Sequence, residues 1–482
     1  MKRFLLLLFF IPPAFFLRGQ EKNFELKITF KPFKNQYIYL GYYYGKQKPI
    51  VDSILLDENS SGIFKSGKKL EKGIYLVGYP GKSGYFEIVI DKEQQFSVKA
   101  DTANILESMK FENSPDNVLF NGYQRFTAKK GKEIEQYKQL LADAKEKSNT
   151  ADITKFTKTI STSTKELDDY RNNLIKQHPD ATIAVLLTAM KDPEVPAADK
   201  HPGGKYDSLY AYRYYKDHFW DGVYFYDERL ARTPFFEDKL DRYFNQLVYP
   251  HPDSVIKEID WMLGYASANE EMQKFLLVKF VNRYLNQKYM WEDRVFVHLF
   301  EKYFSQNSYS WLTEKGKKTI FDRAYSLMAN LFGTQAADME IADSAGKIQS
   351  LFAITSPYTV VLFWDPSCSH CKETLPRIDS LYREKWKAAN VSIYAVSKES
   401  DGSKKDWLSF ISNHHLEGWT HVYYSKADET ARVSNNIPGY LQLYDIQTVP
   451  TLYLLDKEKR ILAKKIPFEQ INEVLQQKLK NQ

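Results

Sequence analysis

Trp364-Asp-Pro-Ser-Cys368-Ser-His-Cys371-Lys-Glu-Thr-Leu-Pro376 holds the only two cysteines of this 482-residue chain, three positions apart. With no spare cysteine anywhere, such a pair calls for a chemical explanation. The residues before it, Tyr358-Thr-Val-Val-Leu-Phe-Trp364, form an apolar, β-branched and aromatic run that predicts a fully buried strand. The polar, Leu-containing stretch after Cys368 predicts a helix. A strand that opens directly into a helix puts Cys368 at the helix N-terminus, where unsatisfied amides and the macrodipole favour a thiolate. Cys368 is therefore expected to attack. Cys371, one turn further in, is expected to be more buried and to resolve a mixed disulfide by attacking Cys368. His370 lies between them, and its charge should lower the Cys368 pKa and bias the couple toward the oxidising side. Pro376 falls inside the predicted helix and should bend it.

The sequence beyond the cysteines alternates between strand and helix patterns. Strands are expected at Val391–Val396, Thr420–Tyr424, Thr451–Leu455 and Ile461–Ile466, and helices at Lys404–His414, Ala431–Leu443 and Phe468–Leu479. This alternation predicts a mixed sheet covered by helices on both faces, an α/β domain over 332–482. Upstream the texture changes twice. From Phe24 to about Phe111, alternating runs such as Phe24–Phe30, Tyr37–Tyr43, Gly73–Gly78 and Tyr85–Ile90 predict an antiparallel β-sandwich over 20–113. From 114 to 331, three- and four-residue spacing predicts an α-helical middle domain, with long exposed helices at Gln136–Lys145 and Lys158–Gln177. The aromatic stretch Tyr206–Phe236 reads as interior helix packing more readily than as a ligand surface.

Met1-Lys-Arg followed by the apolar run Phe4–Leu17 has the form of a secretory signal, 1–19, with cleavage expected after Gly19. The mature chain is expected to be exported to the periplasm or cell envelope, and the leader carries no cysteine for a lipoprotein anchor. With no cysteine pair to spare for structural bridges, hydrophobic cores must hold the fold, and 43% hydrophobic and 15% aromatic residues supply them. A net charge of +6, from 67 basic and 61 acidic residues, indicates neither nucleic acid nor a strong membrane patch.

Phe363-Trp364, Cys368-x-x-Cys371, Pro376 five positions later, and Val449-Pro450-Thr451 ahead of an apolar strand together resemble the thioredoxin superfamily. The added elements resemble its exported TlpA/ResA-like branch, and the three-part arrangement resembles multidomain thiol-disulfide oxidoreductases of Bacteroidetes. The resemblance implies a C-terminal thioredoxin-like fold acting on exported protein thiols or disulfides and recharged by a membrane electron donor or acceptor. It implies no cofactor beyond the Cys368–Cys371 disulfide itself, and it assigns Trp364 a tuning role. It further implies that Pro450 is cis and faces the cysteines, with the Val449 backbone pairing with a client strand.

Three positions depart from the family pattern. Ser367 stands where thioredoxins place Trp, Leu362 where many carry a buried Asp, and Thr374 where exported relatives often carry Glu. The proton of the second cysteine thus lacks its usual carboxylate, and Glu373 and Asp365 are the substitutes in reach. Zinc is disfavoured because a structural site wants four ligands and no second cysteine pair exists. A peroxiredoxin-type site would need a Thr two residues before a lone cysteine. The remaining alternative is an exported binding or scaffold protein whose thioredoxin module serves docking rather than redox turnover.

Overall fold

The computed structural model describes residues 23–399 and 404–480; the expected leader, 1–19, lies outside them. The chain divides into two compact units. Unit 1 comprises residues up to Leu247 together with Met262–Phe275, and unit 2 comprises Val248–Trp261 and Leu276 onward.

In unit 1, β1 (Phe24–Lys31), β2 (Tyr37–Tyr42), β3 (Ile50–Leu55), β4 (Ser61–Ser66), β5 (Gly73–Gly78), β6 (Tyr85–Ile90), β7 (Gln95–Asp101) and β8 (Lys110–Glu112) form two four-stranded sheets. Their orders are β4-β1-β7-β8 and β3-β2-β5-β6. All pairs are antiparallel except β1 with β7. Strict alternation in β1 sends Phe24, Leu26, Ile28 and Phe30 into a core shared with Leu40, Tyr75, Val77, Phe86, Ile88, Phe96 and Val98. Each such side chain contributes about 1.5–3 kcal/mol by leaving water. The expected sandwich is present, with the parallel β1–β7 pair departing from the purely antiparallel pattern expected.

Helices follow: α1 (Ile105–Ser108), α2 (Pro115–Glu146), α3 (Thr150–Gln177), α4 (Thr182–Met190), α5 (Ser208–Asp217) and α6 (Phe236–Gln246). Near the start of α2, Asn117 reaches the outer edge of β6: its Nδ2 donates to the Val89 carbonyl at 2.7 Å, and its Oδ1 accepts the Val89 amide at 2.8 Å. The aromatic stretch differs from the expectation of a doubly packed helix. Helix α5 buries only Ala211 and leaves Leu209 and Tyr212 exposed, and Tyr206, Tyr224 and Tyr226 outside it are exposed as well. Of the rings that do pack, Phe219, Trp220 and Phe225 lie in the irregular turn after α5, where no helical period governs which side chain faces inward, and Phe236 opens α6.

The unit boundary falls within α7 (Pro252–Ala266) and α8 (Glu270–Leu285), so each unit takes part of the helical stretch. Unit 2 continues with α9 (Glu292–Leu299) and α10 (Glu314–Met328), then a short hairpin of β9 (Glu340–Ala342) and β10 (Ile348–Ser350). There follow β11 (Tyr358–Trp364), α11 (Ser369–Leu381), β12 (Val391–Lys398), α12 (Lys404–Asn413), β13 (Thr420–Tyr424), α13 (Lys426–Ser434), α14 (Tyr440–Leu443), β14 (Thr451–Leu455), β15 (Ile461–Lys464) and α15 (Phe468–Lys480). The sheet order is β13-β12-β11-β14-β15. Strand β11 is parallel to β12 and antiparallel to β14, which gives the expected mixed sheet.

Every residue of β11 is buried, as its unbroken apolar run requires of a central strand. Its alternate residues feed two cores. Tyr358, Val360, Leu362 and Trp364 meet Cys371, Leu375 and Ile378 of α11 and Phe468, Ile471 and Leu475 of α15. Val361 and Phe363 face the other way, toward Tyr394, Tyr440, Tyr444 and Tyr453. One boundary is corrected: the helix expected over Ala431–Leu443 is two helices. Asn436 turns to φ 58° and Pro438 follows, so the chain leaves α13 at Ser434 and restarts as α14 at Tyr440.

Candidate active site

Strand β11 ends at Trp364, and the next four residues turn the chain into α11. Asp365 organises that turn: its Oδ1 accepts both the amide and the hydroxyl of Ser367 at 2.7 Å, and its carbonyl accepts the Cys368 amide at 3.2 Å. Cys368 is the N-cap of α11 in extended conformation, and its carbonyl already accepts the Lys372 amide at 3.1 Å. Its sulfur is therefore held at the start of the helix and is partly exposed. Cys371, one turn in, is fully buried. Both are free thiols.

Across from α11, the Val449–Pro450 peptide is cis, and the Val449 carbonyl lies 3.7 Å from the Cys368 Sγ that donates to it. The cysteine pair and the Val449-Pro450 pair, 81 positions apart in sequence, thus meet at one end of the sheet. Burial pushes the Cys371 thiol well above the ordinary cysteine range, with the adjacent Cys368 thiol and the Asp365 charge adding to the rise and a backbone contact from Asp365 opposing it. A buried, reluctant acid beside a partly exposed thiol is the asymmetry that an attacking and a resolving sulfur require.

The other sequence candidates fall out as follows. Trp364 is fully buried against Phe410 at 5.3 Å between ring centroids, with its indole N–H unpartnered among the described residues. Pro376 lies inside α11, which runs through it to Leu381. His370 is exposed on the first turn, and Glu373 is exposed one turn later. Asp365 is 3% exposed, and its second oxygen carries no hydrogen bond among the described residues. Leu362 and Thr374, the positions where the family resemblance leads one to expect a carboxylate, are both buried and both uncharged, so neither supplies a charge beneath the thiols. Among the described residues no group of three or more His, Cys, Asp or Glu side chains is placed to hold a metal ion.

Sequence reasoning missed the ionic cluster of unit 2. Asp445 accepts Arg323 Nη1 at 2.6 Å and also pairs with Lys465. Lys464 pairs with Asp293 and donates to the Asn330 carbonyl and Oδ1 at 2.6 and 2.8 Å. Arg323 and Asp445 are 122 positions apart, and no local pattern announces such a pair.

Residues 357–461 match the family model described as thioredoxin-like. The C-terminal domain belongs to the thioredoxin superfamily. Upstream of this thioredoxin-like domain, residues 138–325 match a model described as a domain of unknown function, DUF5106. No curated protein matches the chain. Among solved structures, a domain of a "possible thiol-disulfide isomerase" from Cytophaga hutchinsonii is 31% identical, covering 31% of this chain and 95% of that one, with a TM-score of 0.27. A thioredoxin-like protein from Bacteroides caccae is 20% identical, covering 60% of this chain and 99% of that one, with a TM-score of 0.44. The thioredoxin domain of a thiol-disulfide oxidoreductase from Bacteroides vulgatus is 25% identical, covering 30% and 96%, with a TM-score of 0.26.

Unit 1 contains a separate concavity of about 340 Å³ lined by Lys72, Asp91, Tyr226, Glu228 and Arg229 among others. Asp91 is buried there, accepting Thr182 Oγ1 at 2.7 Å and Arg229 Nη1 at 3.2 Å. Burial pushes the Glu228 carboxyl up to about 7, reinforced by a hydrogen bond and repulsion from Glu71, while Lys72 and Arg232 act against it.

Proposed function

We propose that this chain is an exported thiol-disulfide oxidoreductase of the TlpA/ResA-like kind, acting on protein disulfides in the periplasm or cell envelope through Cys368 and Cys371. The observation that carries the reading is the asymmetric thiol pair: Cys368 partly exposed at the helix start beside the Val449 carbonyl, Cys371 buried with its acidity suppressed.

The Cys368 thiolate attacks one sulfur of a client disulfide, forming a mixed disulfide and expelling the other client sulfur as a thiolate that takes up a proton. Cys371 then gives its proton to Asp365 and attacks the Cys368 sulfur. The Cys368–Cys371 disulfide closes, the second client thiolate leaves, and two electrons have passed from the dithiol to the client. A membrane thiol donor restores the dithiol. Val449 and Pro450 present the client strand, and His370 and Trp364 tune the thiols. Asp365 is preferred to Glu373 as proton acceptor because it is buried and acts electrostatically on Cys371, whereas Glu373 is exposed. The chemistry calls for no metal or organic cofactor. With His370 beside the thiolate, the couple is expected above thioredoxin's roughly −270 mV and below DsbA's roughly −120 mV, suited to a reductase or isomerase.

The test is capture on a Cys371→Ala chain, in which the attacking sulfur holds its client. Mixed disulfides through Cys368 that dithiothreitol releases are the expected result, together with an intermediate potential for the native couple against glutathione. A chain that captures nothing in the cell envelope, and whose double cysteine variant keeps its cellular role, would sink the reading.

A further inference from the structure

The segment that faces Cys368 is held by a helix outside the thioredoxin sheet. Asp445 closes α14 in the left-handed region, φ 46°, four residues before Val449. Its carboxylate collects three donors from three different places. Oδ2 takes the Arg323 guanidinium from α10 at 2.6 Å and the Lys465 ammonium from just past β15, and Oδ1 takes the Gln447 side-chain amide at 3.2 Å. Gln447 belongs to the Val449–Pro450 segment itself, so the ionic cluster is tied directly to the backbone that lies beside the attacking sulfur.

Arg323 is itself anchored on its far side. Its Nε donates to the Leu285 carbonyl at 3.1 Å and its Nη2 to Gln287, both at the C-terminal end of α8 or just past it. A planar guanidinium engaged in three directions has little freedom, which is what a rigid strut needs. The same helix reaches α14 by two more bonds: Ser326 Oγ donates to the Gln442 carbonyl at 3.4 Å, and Asn330 Nδ2, two residues past α10, donates to the Leu443 carbonyl at 3.0 Å. Arg323 and Asp445 are 16% and 4% exposed at the side chain, so water competes weakly for these bonds.

We infer that Arg323, acting through Asp445 and Gln447, is a positioning residue that holds the Val449–Pro450 segment in register for the client strand. This inference rests on the exchange function proposed above. It gives the second half of the helical stretch a role in client handling. Arg323 touches neither thiol, so the exchange of a small disulfide that needs only Cys368 should proceed without it. A protein disulfide must lie along Val449, and a small displacement of that backbone weakens its binding.

The experiment uses the full chain with its dithiol reduced, mixed with insulin as a protein disulfide and with 5,5′-dithiobis(2-nitrobenzoate) as a small one. For Arg323→Ala, the half-saturating insulin concentration is expected to rise about tenfold or more, with the limiting single-turnover rate, the small-disulfide rate and the glutathione potential unchanged. Arg323→Lys, which keeps the charge on Asp445 and gives up the fork, should recover part of the insulin affinity and remains informative where the alanine variant folds poorly. Insulin saturation that stays at the native value, or insulin and small-disulfide rates that fall in parallel, would overturn the inference. A native chain that exchanges with neither disulfide would instead break the proposed function.

Discussion

Beneath the dithiol Cys371 belongs to an apolar cluster with Leu362, Trp364, Ala395 and Leu452, whereas the β15 flank of the same sheet concentrates Lys464, Lys465, Asp293, Asp445 and Arg323. Both regions are buried, yet they handle charge oppositely. On the dithiol side burial keeps the Cys371 thiol protonated, and the Asp365 carboxylate acts on it from the turn before α11. On the flank, burial lowers the pKa of Lys464 and raises that of Asp293, and each charge is sustained by the other. The contrast separates two uses of low dielectric, one to suppress ionisation and one to make paired ions directional.

The strongest way to break the contrast is to unpair the flank. Lys464→Met leaves Asp293 buried without its cation and should cost about 3–5 kcal/mol of unfolding free energy, while the Lys464→Met, Asp293→Leu double variant should recover most of it. Denaturant titration of the full chain checks both, and equal losses in the single and double variants would mean that the pair is not what stabilises this flank. The dithiol side is probed more gently by Asp365→Asn, which keeps an acceptor for Ser367 but removes the proposed proton acceptor. Resolution of a preformed mixed disulfide should slow by about a hundredfold while the first attack by Cys368 keeps its rate. Stopped-flow measurement of the two phases separates them.

The smallest effect extends the comparison to unit 1, where Glu228 is an unfavourably buried acid. Its folded pKa of about 7 lies above the ordinary carboxyl value, so the folded state prefers the protonated form. Stability is therefore fullest below about pH 4.5 and declines as pH rises through 7. After allowance for the group's partial hydration, about 1–2 kcal/mol is expected to be lost between pH 5 and 8. Glu228→Gln should remove that slope and be the more stable protein at pH 8, by thermal melting.

Much of the C-terminal domain was legible because its signals are local. The unbroken run Tyr358–Trp364, the cysteine spacing and Val449-Pro450 each announce themselves, and the structure brings them together. Strands β3 and β4 passed unnoticed since Ile50, Val51 and Leu55 are exposed and the β4 stretch, Ser-Gly-Ile-Phe-Lys-Ser, alternates too weakly to mark a strand. Asn436 and Pro438 carry a stop signal within Ala431–Leu443, but the apolar spacing continues across it and masks the break. The Asp445 cluster was illegible for a different reason: its members come from α10, α14 and the end of β15, and their partnership exists only after folding. Asp365 was visible as a residue, but its burial and its influence on Cys371 are properties of the turn.

The Asn117 side chain bears on how this protein survives at high concentration. A sandwich made of short sheets exposes backbone edges onto which a strand from another molecule could add, and β6 is such an edge. At Val89 the amide and carbonyl that a foreign strand would need are both engaged by one carboxamide. One side chain at the start of a helix thereby blocks that stretch of edge against intermolecular β-addition, a protection against aggregation built from two hydrogen bonds.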